Sequence, residues 1–159
     1  MQGRCTCGQA SYRMLEPPMF THCCHCSWCQ RETGSAFALN AIIERDRLEV
    51  TGEVDYVTLP SASGKGQQVA RCPACKVALF SHYAGSAGIA AFVRVGTLED
   101  PASCPPEVHI YTSTKLPWVP LDPKIPAFEG YYQAKTEWPA AAQERFRAMK
   151  ARAAARTEP

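Results

Sequence analysis

Cys5-Thr6-Cys7-Gly8 and Cys72-Pro73-Ala74-Cys75 are two cysteine pairs, far apart in the chain, whose spacing predicts one zinc site. Residues two apart in an extended segment point to the same side, so Cys5 and Cys7 can converge on one metal ion. The second pair forms a knuckle, a tight turn that supplies two ligands. Because a closed structural zinc site takes four ligands, we expect the two pairs to meet and to join distant parts of the sheet.

A third cluster, Cys24-His25-Cys26-Ser27-Trp28-Cys29, supplies three more thiols. Three protein ligands are typical of catalytic zinc, which keeps one position open, so the division into four and three cysteines indicates an enzyme. Three thiolates make zinc a poor Lewis acid, but such a site can hold a further thiol as an electron-rich thiolate. We therefore predict that Cys24, Cys26 and Cys29 are the catalytic group, and that the chemistry is sulfur addition to a small electrophile.

Other groupings of the cysteines stay open at this point. A zinc ribbon would join Cys26 and Cys29 to the Cys72 knuckle, but 42 residues separate Cys29 from Cys72, against roughly 15 to 20 in the ribbon pattern. The three-cysteine site can also be purely structural if Cys23 or a histidine closes it; the candidate histidines are His22, His25 and His109. We interpret Cys23 as a buried neighbour of the site and Cys104, alone among prolines, as a packing or surface thiol.

Length and composition limit which class of protein this can be. A chain of 159 residues is long enough for one compact domain, and we place a zinc-binding domain at residues 1–137 and a helical extension at 138–159. The net charge of +2 comes without runs of like charge in the cysteine-bearing part, so we expect no nucleic-acid partner. The N-terminus lacks an export signal and no segment is apolar enough to span a membrane, which together with the clustered thiols predicts a reduced, cytoplasmic protein.

Short strands dominate the residue pattern before the tail. A mainly β fold, built on an antiparallel sheet, is therefore expected, with a helix after Pro139 where Ala, Glu, Arg and Lys prevail. Residues 107–112 alternate polar with apolar side chains, which predicts a half-buried strand that carries His109. Strands are predicted at residues 10–14, 36–43, 54–57, 78–80 and 89–95, and loops at 61–66 and 117–126.

The ordered motifs resemble one family. They are Gly3-x-Cys5-x-Cys7-Gly8, Cys24-His25-Cys26-Ser27-x-Cys29-Gln30-Arg31-x-x-Gly34-Ser35-Ala36-Phe37, Cys72-Pro73-x-Cys75, Gly96-Thr97-Leu98-Glu99-Asp100-Pro101 and His109-Ile110-Tyr111, with Lys115 and Trp118 following. Together they resemble the glutathione-dependent formaldehyde-activating enzymes, which include the centromere protein V relatives. The resemblance covers roughly residues 3–128.

The resemblance implies a fold akin to those of translationally controlled tumour protein and type B methionine sulfoxide reductase. It implies one structural zinc on Cys5, Cys7, Cys72 and Cys75, and a catalytic, more loosely held zinc on Cys24, Cys26 and Cys29. The implied activity is that of a carbon-sulfur lyase, an S-hydroxymethylglutathione synthase that joins glutathione to formaldehyde or a related aldehyde. A carrier of glutathione or zinc without catalysis, and an interaction module that uses the basic terminal helix, are the alternatives.

Several residues near the clusters are weaker candidates. Arg31, two residues after Cys29, is predicted to bind the carboxylates of a glutathione-like ligand. Gly34 and Ser35 are more typical of a turn, and His109 is a proton-transfer candidate that more often is only packed and hydrogen-bonded. Lys76 stands where the resembling family usually has glycine, which predicts a strained turn if the backbone there needs a positive φ.

Overall fold

The computed structural model describes residues 1–86 and 88–157, with side chains of the last helix described to residue 155. Ten strands and three α-helices follow in chain order. They are β1 Gln2–Arg4, β2 Ser11–Met14, β3 Phe20–Cys24, α1 Ser27–Thr33, β4 Ala38–Glu44, β5 Leu48–Thr51, β6 Asp55–Leu59, β7 Gln67–Arg71, β8 Ala78–Tyr83, β9 Ala90–Arg94, β10 Val108–Ile110, α2 Ala134–Glu137 and α3 Ala140–Thr157.

The strands form two sheets. A seven-stranded sheet has the order β10-β3-β4-β9-β8-β7-β6, and a three-stranded sheet has the order β1-β2-β5. Most neighbours are antiparallel, as expected, but β10 runs parallel to β3. The prediction of a mainly antiparallel body is confirmed except at this edge, where the long segment after β9 brings β10 alongside β3 in the same direction. The architecture is mixed α/β with mostly antiparallel sheets.

Burial differs from expectation in two strands, one that was predicted inaccurately and one that was not predicted. The strand at residues 107–112 is only three residues long, and all three are buried, so it is not half-buried. Tyr111 ends it with a φ of 55°, a left-handed conformation outside the strand region. Strand β3 escaped prediction because all five of its residues are buried, including Thr21 and His22, and it therefore shows no polar and apolar alternation.

Helix α3 packs against the large sheet and is held there by ion pairs. Met149 is 3% exposed and Trp138, just before the helix, is 6% exposed; both join the apolar cluster that contains Phe20. Arg145 makes a bidentate contact with the buried carboxylate of Glu44, at 3.0 and 2.6 Å. The helix predicted after Pro139 is confirmed over residues 140–157. Among the described helices, none has the length and apolar character needed to cross a membrane.

Candidate active site

Four thiols converge where the two sheets meet. Cys5 and Cys7 come from the turn between β1 and β2, and Cys72 and Cys75 from the turn between β7 and β8. The Sγ atoms of Cys5 and Cys7 are 3.5 Å apart, those of Cys7 and Cys72 are 3.6 Å apart, and all four lie within 4.8 Å of one another. Sulfur ligands of a tetrahedral zinc ion are about 3.8 Å apart, so this donor set fits zinc.

Backbone hydrogen bonds shape the second knuckle. The N–H of Lys76 donates to the Cys72 carbonyl at 3.0 Å, and the N–H of Cys72 donates to the Val77 carbonyl at 3.0 Å. Lys76 has a φ of 61°, so the turn does use the left-handed conformation that glycine adopts without strain. The lysine side chain is exposed and pairs with Asp55, which leaves the thiols of the knuckle free to face inward.

Replacing Cys72 with Ser is expected to destabilise the fold severely, because Cys72 is fully buried and its loss breaks the only four-thiol group of the described residues. The free energy of unfolding of the zinc-loaded protein should fall by about 4 kcal/mol or more. Urea unfolding with bound zinc quantified beforehand measures this. Cys26→Ser is the matched control, since serine also caps helices, and it should cost less than about 1.5 kcal/mol. Equal losses in the two variants would contradict a structural role for the four-thiol group.

The second cluster lies at the junction of β3 and α1. Cys24 is the last residue of β3, Cys26 is the N-cap of α1, and Cys29 is in the first turn of that helix. The backbone N–H of Cys29 donates to the Cys26 sulfur at 3.3 Å, which fixes the start of the helix. All three thiols are 6% exposed, and their Sγ atoms lie within 4.8 Å of one another.

Contact between these thiols determines which of them ionises first. Hydrogen bonds from Cys24 and Cys29 lower the pKa of Cys26 to about 3, against the opposing effect of burial. Contacts with Cys26 and Cys29, together with burial, raise the pKa of Cys24 above its ordinary value. One thiolate therefore forms readily, while three at this separation require a cation between them. The donor set fits a zinc ion with one open position.

A buried charge cluster that the sequence patterns did not reveal supports α1. Glu32 accepts two hydrogen bonds from Arg71, both at 2.7 Å, and its other neighbour is Arg94 at 4.0 Å. Arg94 also donates to Ser81 and Asn40 and interacts electrostatically with Cys29. This guanidinium, whose side chain is 8% exposed, places a positive charge beside the three thiols.

Glu32→Gln is expected to lower the free energy of unfolding by about 2–4 kcal/mol, because it leaves the buried Arg94 guanidinium without its carboxylate. The matched control is Glu49→Gln, since the Glu49 carboxylate pairs with Arg13 on the surface, where both side chains are more than half exposed. That control should change the free energy of unfolding by no more than about 0.5 kcal/mol. Urea midpoints measure both, and similar small changes would contradict a role for Glu32 in holding α1.

The three thiols open into a cavity of about 740 Å³. Its walls are largely apolar and aromatic, with Phe92, Ile110 and Tyr131 on one side and Trp138 and Phe146 on the side of α3. Small residues at 61–63 and 85–86 line another part. Among the described residues that line the cavity, none is Asp or Glu, and the basic side chains are His22 and Lys150.

Hydrogen bonds fix the wall beside α3. The indole N–H of Trp138 donates to the Tyr132 hydroxyl, and that hydroxyl shares a second hydrogen bond with Nε2 of His22. Burial lowers the pKa of His22 to about 3, so its imidazole stays neutral at neutral pH. The residues after 114 thus complete a wall of the cavity and fix its shape.

The weaker candidates of the sequence analysis lie outside the cavity lining. Arg31 is exposed on α1 and does not line the cavity. Gly34 ends α1 with a φ of 63°, and Ser35 is exposed beyond it. His109 also lies outside the cavity lining, and Cys104 is buried beside Met1. The ribbon grouping of Cys26 and Cys29 with Cys72 and Cys75 is wrong, because those thiols belong to different clusters.

The fold and the clusters define a mixed α/β protein with cysteine sites able to bind metal. The model of the family described as glutathione-dependent formaldehyde-activating enzyme matches residues 1–114. The chain belongs to this family, which confirms the resemblance seen in its motifs. A crystal structure of a Rhodobacter sphaeroides protein, a structural-genomics target, is 18% identical, covers 80% of this chain and 100% of its own, and superposes with a TM-score of 0.49. That score is too low to add to the assignment.

Proposed function

We propose that the protein is a zinc-dependent carbon-sulfur lyase that adds a small thiol, glutathione, to formaldehyde or a related small aldehyde, as an S-hydroxymethylglutathione synthase. The observation that carries the proposal is the contrast between the two clusters. Four thiols form a closed set at the sheet junction, whereas Cys24, Cys26 and Cys29 form a set of three at the wall of a large cavity. Family membership supports a glutathione- and formaldehyde-related enzyme.

The overall reaction needs only the thiol and the aldehyde, whose atoms and electrons all appear in the product. The sulfur forms a bond to the carbonyl carbon, the π bond of the carbonyl breaks, and the oxygen takes the proton that the thiol gives up. Zinc at the three thiols supplies one element of this chemistry, the stabilisation of a bound thiol as its thiolate. The cavity walls hold the two reactants together and exclude water, which increases the frequency of productive encounters.

Tyr111 is one residue placed to assist the carbonyl oxygen. It lines the cavity, and it interacts electrostatically with all three cysteines of the site. Burial raises the pKa of Tyr111, so its hydroxyl stays protonated at neutral pH and can donate a hydrogen bond to an oxygen that gains negative charge. Its left-handed backbone, with a φ of 55°, is a strained conformation of the kind found at functional sites.

The proposal predicts that the zinc-loaded protein accelerates exchange between glutathione and its formaldehyde adduct, measured by exchange spectroscopy in nuclear magnetic resonance. Cys26→Ser should reduce the exchange rate to that of the protein-free solution, and Tyr111→Phe should reduce the acceleration at least about tenfold. Cys104→Ser is the matched control, because this thiol is remote from the cavity, and it should leave the acceleration unchanged.

The alternatives have different outcomes in the same experiment. Saturable binding of glutathione by zinc-loaded protein without acceleration would favour a carrier and contradict the enzyme. Absence of both binding and acceleration would favour the interaction module instead. Salt-sensitive binding to a partner, lost when α3 is removed, would then support that role. The positive charge that α3 can offer a partner is reduced, because Arg145 is paired with Glu44 and Arg152 with Asp46.

The apolar wall predicts a preference for aldehydes with a carbon chain over formaldehyde itself. Each buried methylene contributes about 0.8 kcal/mol, or roughly a fourfold gain in kcat/KM. Phe146→Ala should lower the ratio of kcat/KM for butanal to that for formaldehyde about tenfold, since formaldehyde has no chain to contact the ring. Trp118→Ala is the control, because Trp118 is 70% exposed and does not line the cavity. An unchanged ratio in Phe146→Ala would exclude a role for this wall in choosing the aldehyde.

A further inference from the structure

The segment Cys23-Cys24-His25-Cys26 presents its side chains alternately to opposite sides. Side chains of successive residues in extended backbone point to opposite faces. Cys24 and Cys26 line the cavity, whereas Cys23 and His25 do not. Strand β10 runs beside β3, and its His109 is the register partner of Cys23. The topology therefore brings a thiol and two imidazoles together, away from the cavity.

The three side chains converge on one point. Nε2 of His25 is 3.5 Å from Sγ of Cys23 and 3.0 Å from Nδ1 of His109, and all three atoms lie within 4.8 Å of one another. In a tetrahedral zinc site, a sulfur and a nitrogen ligand are about 3.6 Å apart and two nitrogen ligands about 3.3 Å apart. The observed distances differ from these values by no more than about 0.3 Å, so a small opening of the imidazole pair would admit the ion.

Burial makes the group unlike an ordinary surface cluster. Cys23 is 2% exposed, His25 is fully buried and His109 is 7% exposed. Phe37 packs edge-on against the His25 ring, with ring centroids 5.6 Å apart, and so restrains the direction of Nε2. Nδ1 of His25 is buried and lacks a hydrogen-bond partner within the described part of the chain. The ring is thus oriented by packing, and within the described residues its polar contacts are with Cys23 and His109.

Nearby charges are compatible with a cation at this point. One thiolate and two neutral imidazoles leave a divalent ion with a net charge of plus one, and Asp122 interacts electrostatically with His109. Lys115 is the basic group that acts on His25, but its ammonium donates to the Leu116 and Val119 carbonyls, at 3.0 and 2.7 Å. Sulfur and imidazole ligands together favour zinc among the common divalent ions.

We infer that Cys23, His25 and His109 form a third metal site that binds a zinc ion, distinct from the two cysteine clusters. The sequence patterns had indicated a packed thiol and a hydrogen-bonded histidine at these positions. The site joins β10 to β3, and β10 carries Ile110 of the cavity wall directly after His109. The ion therefore braces the wall from the side opposite the three cysteines. This inference does not depend on the proposed activity.

The test is zinc stoichiometry after equilibrium dialysis against buffered micromolar zinc, with metal and protein both quantified. Cys23→Ser is expected to bind one zinc equivalent fewer than the unsubstituted protein, whatever the total. Cys104→Ser is the matched control, a buried cysteine outside all three groups, and should bind the same amount as the unsubstituted protein. Circular dichroism confirms that each variant is folded.

A second variant and a second signal keep the test decisive. His109→Gln should also lose one equivalent, and both variants should lose the same component of the cobalt absorption spectrum when Co²⁺ replaces zinc. Cys26→Ser should keep that component while it loses the signal of the three-thiol site. If Cys23→Ser does not fold, His109→Gln alone decides. An unchanged stoichiometry and spectrum in the folded variant would overturn the third site.

Discussion

The convergence of four thiols at the junction of the sheets is the constraint on which the rest of the structure depends. Cys5 and Cys7 follow the first strand of the small sheet, and Cys72 and Cys75 lie between two strands of the large one. Cys5 and Cys72 also belong to the apolar cluster that contains Phe80. The thiols that could hold a metal ion and the apolar core therefore lie at the same place, and burial of Cys72 favours the turn in which Lys76 is strained.

In the proposed function the three-thiol site keeps one position open, so charge on its thiolates has to be balanced from outside the ligand set. Three thiolates exceed the charge of a divalent ion, and a fourth protein ligand would remove the open position. The structure instead supplies a positive charge from Arg94, which interacts with Cys29 from outside the ligand set. Arg94 is itself kept buried by Glu32 and by the hydroxyl of Ser81. Glu32 lies on α1 with Cys29, so the helix that presents a ligand also carries the carboxylate for the guanidinium.

Features that depend on neighbouring residues could be predicted from the sequence, whereas features that depend on contacts between distant segments could not. The two cysteine clusters and the terminal helix could be predicted, since ligand spacing and helix propensity are read within a few residues. The parallel pairing of β10 could not, because its direction depends on the path of the long connection after β9. Arg94 belongs to no sequence motif. The proximity of Cys23 and His109 could not be predicted, because it depends on the register of two strands that are distant in sequence. Ligand binding by Arg31, predicted from its proximity to Cys29, stays a prediction, since the side chain is exposed on α1 and lies outside the cavity lining.

The features that this chain shares with its family and those that it adds lie in different parts of the sequence. The family match ends at residue 114 and includes every cysteine of the two clusters. Trp138, Phe146 and Lys150 lie beyond it and form a wall of the same cavity. The cysteines of both clusters therefore lie in the matched segment, whereas the cavity wall comes partly from that segment and partly from the residues beyond it. A change in α3 can alter the shape and polarity of the cavity without touching a metal ligand, because the helix contacts the sheet through its own apolar residues and two ion pairs. In the proposed enzyme, a change in α3 would alter the substrate preference while Cys24, Cys26 and Cys29 stay the same.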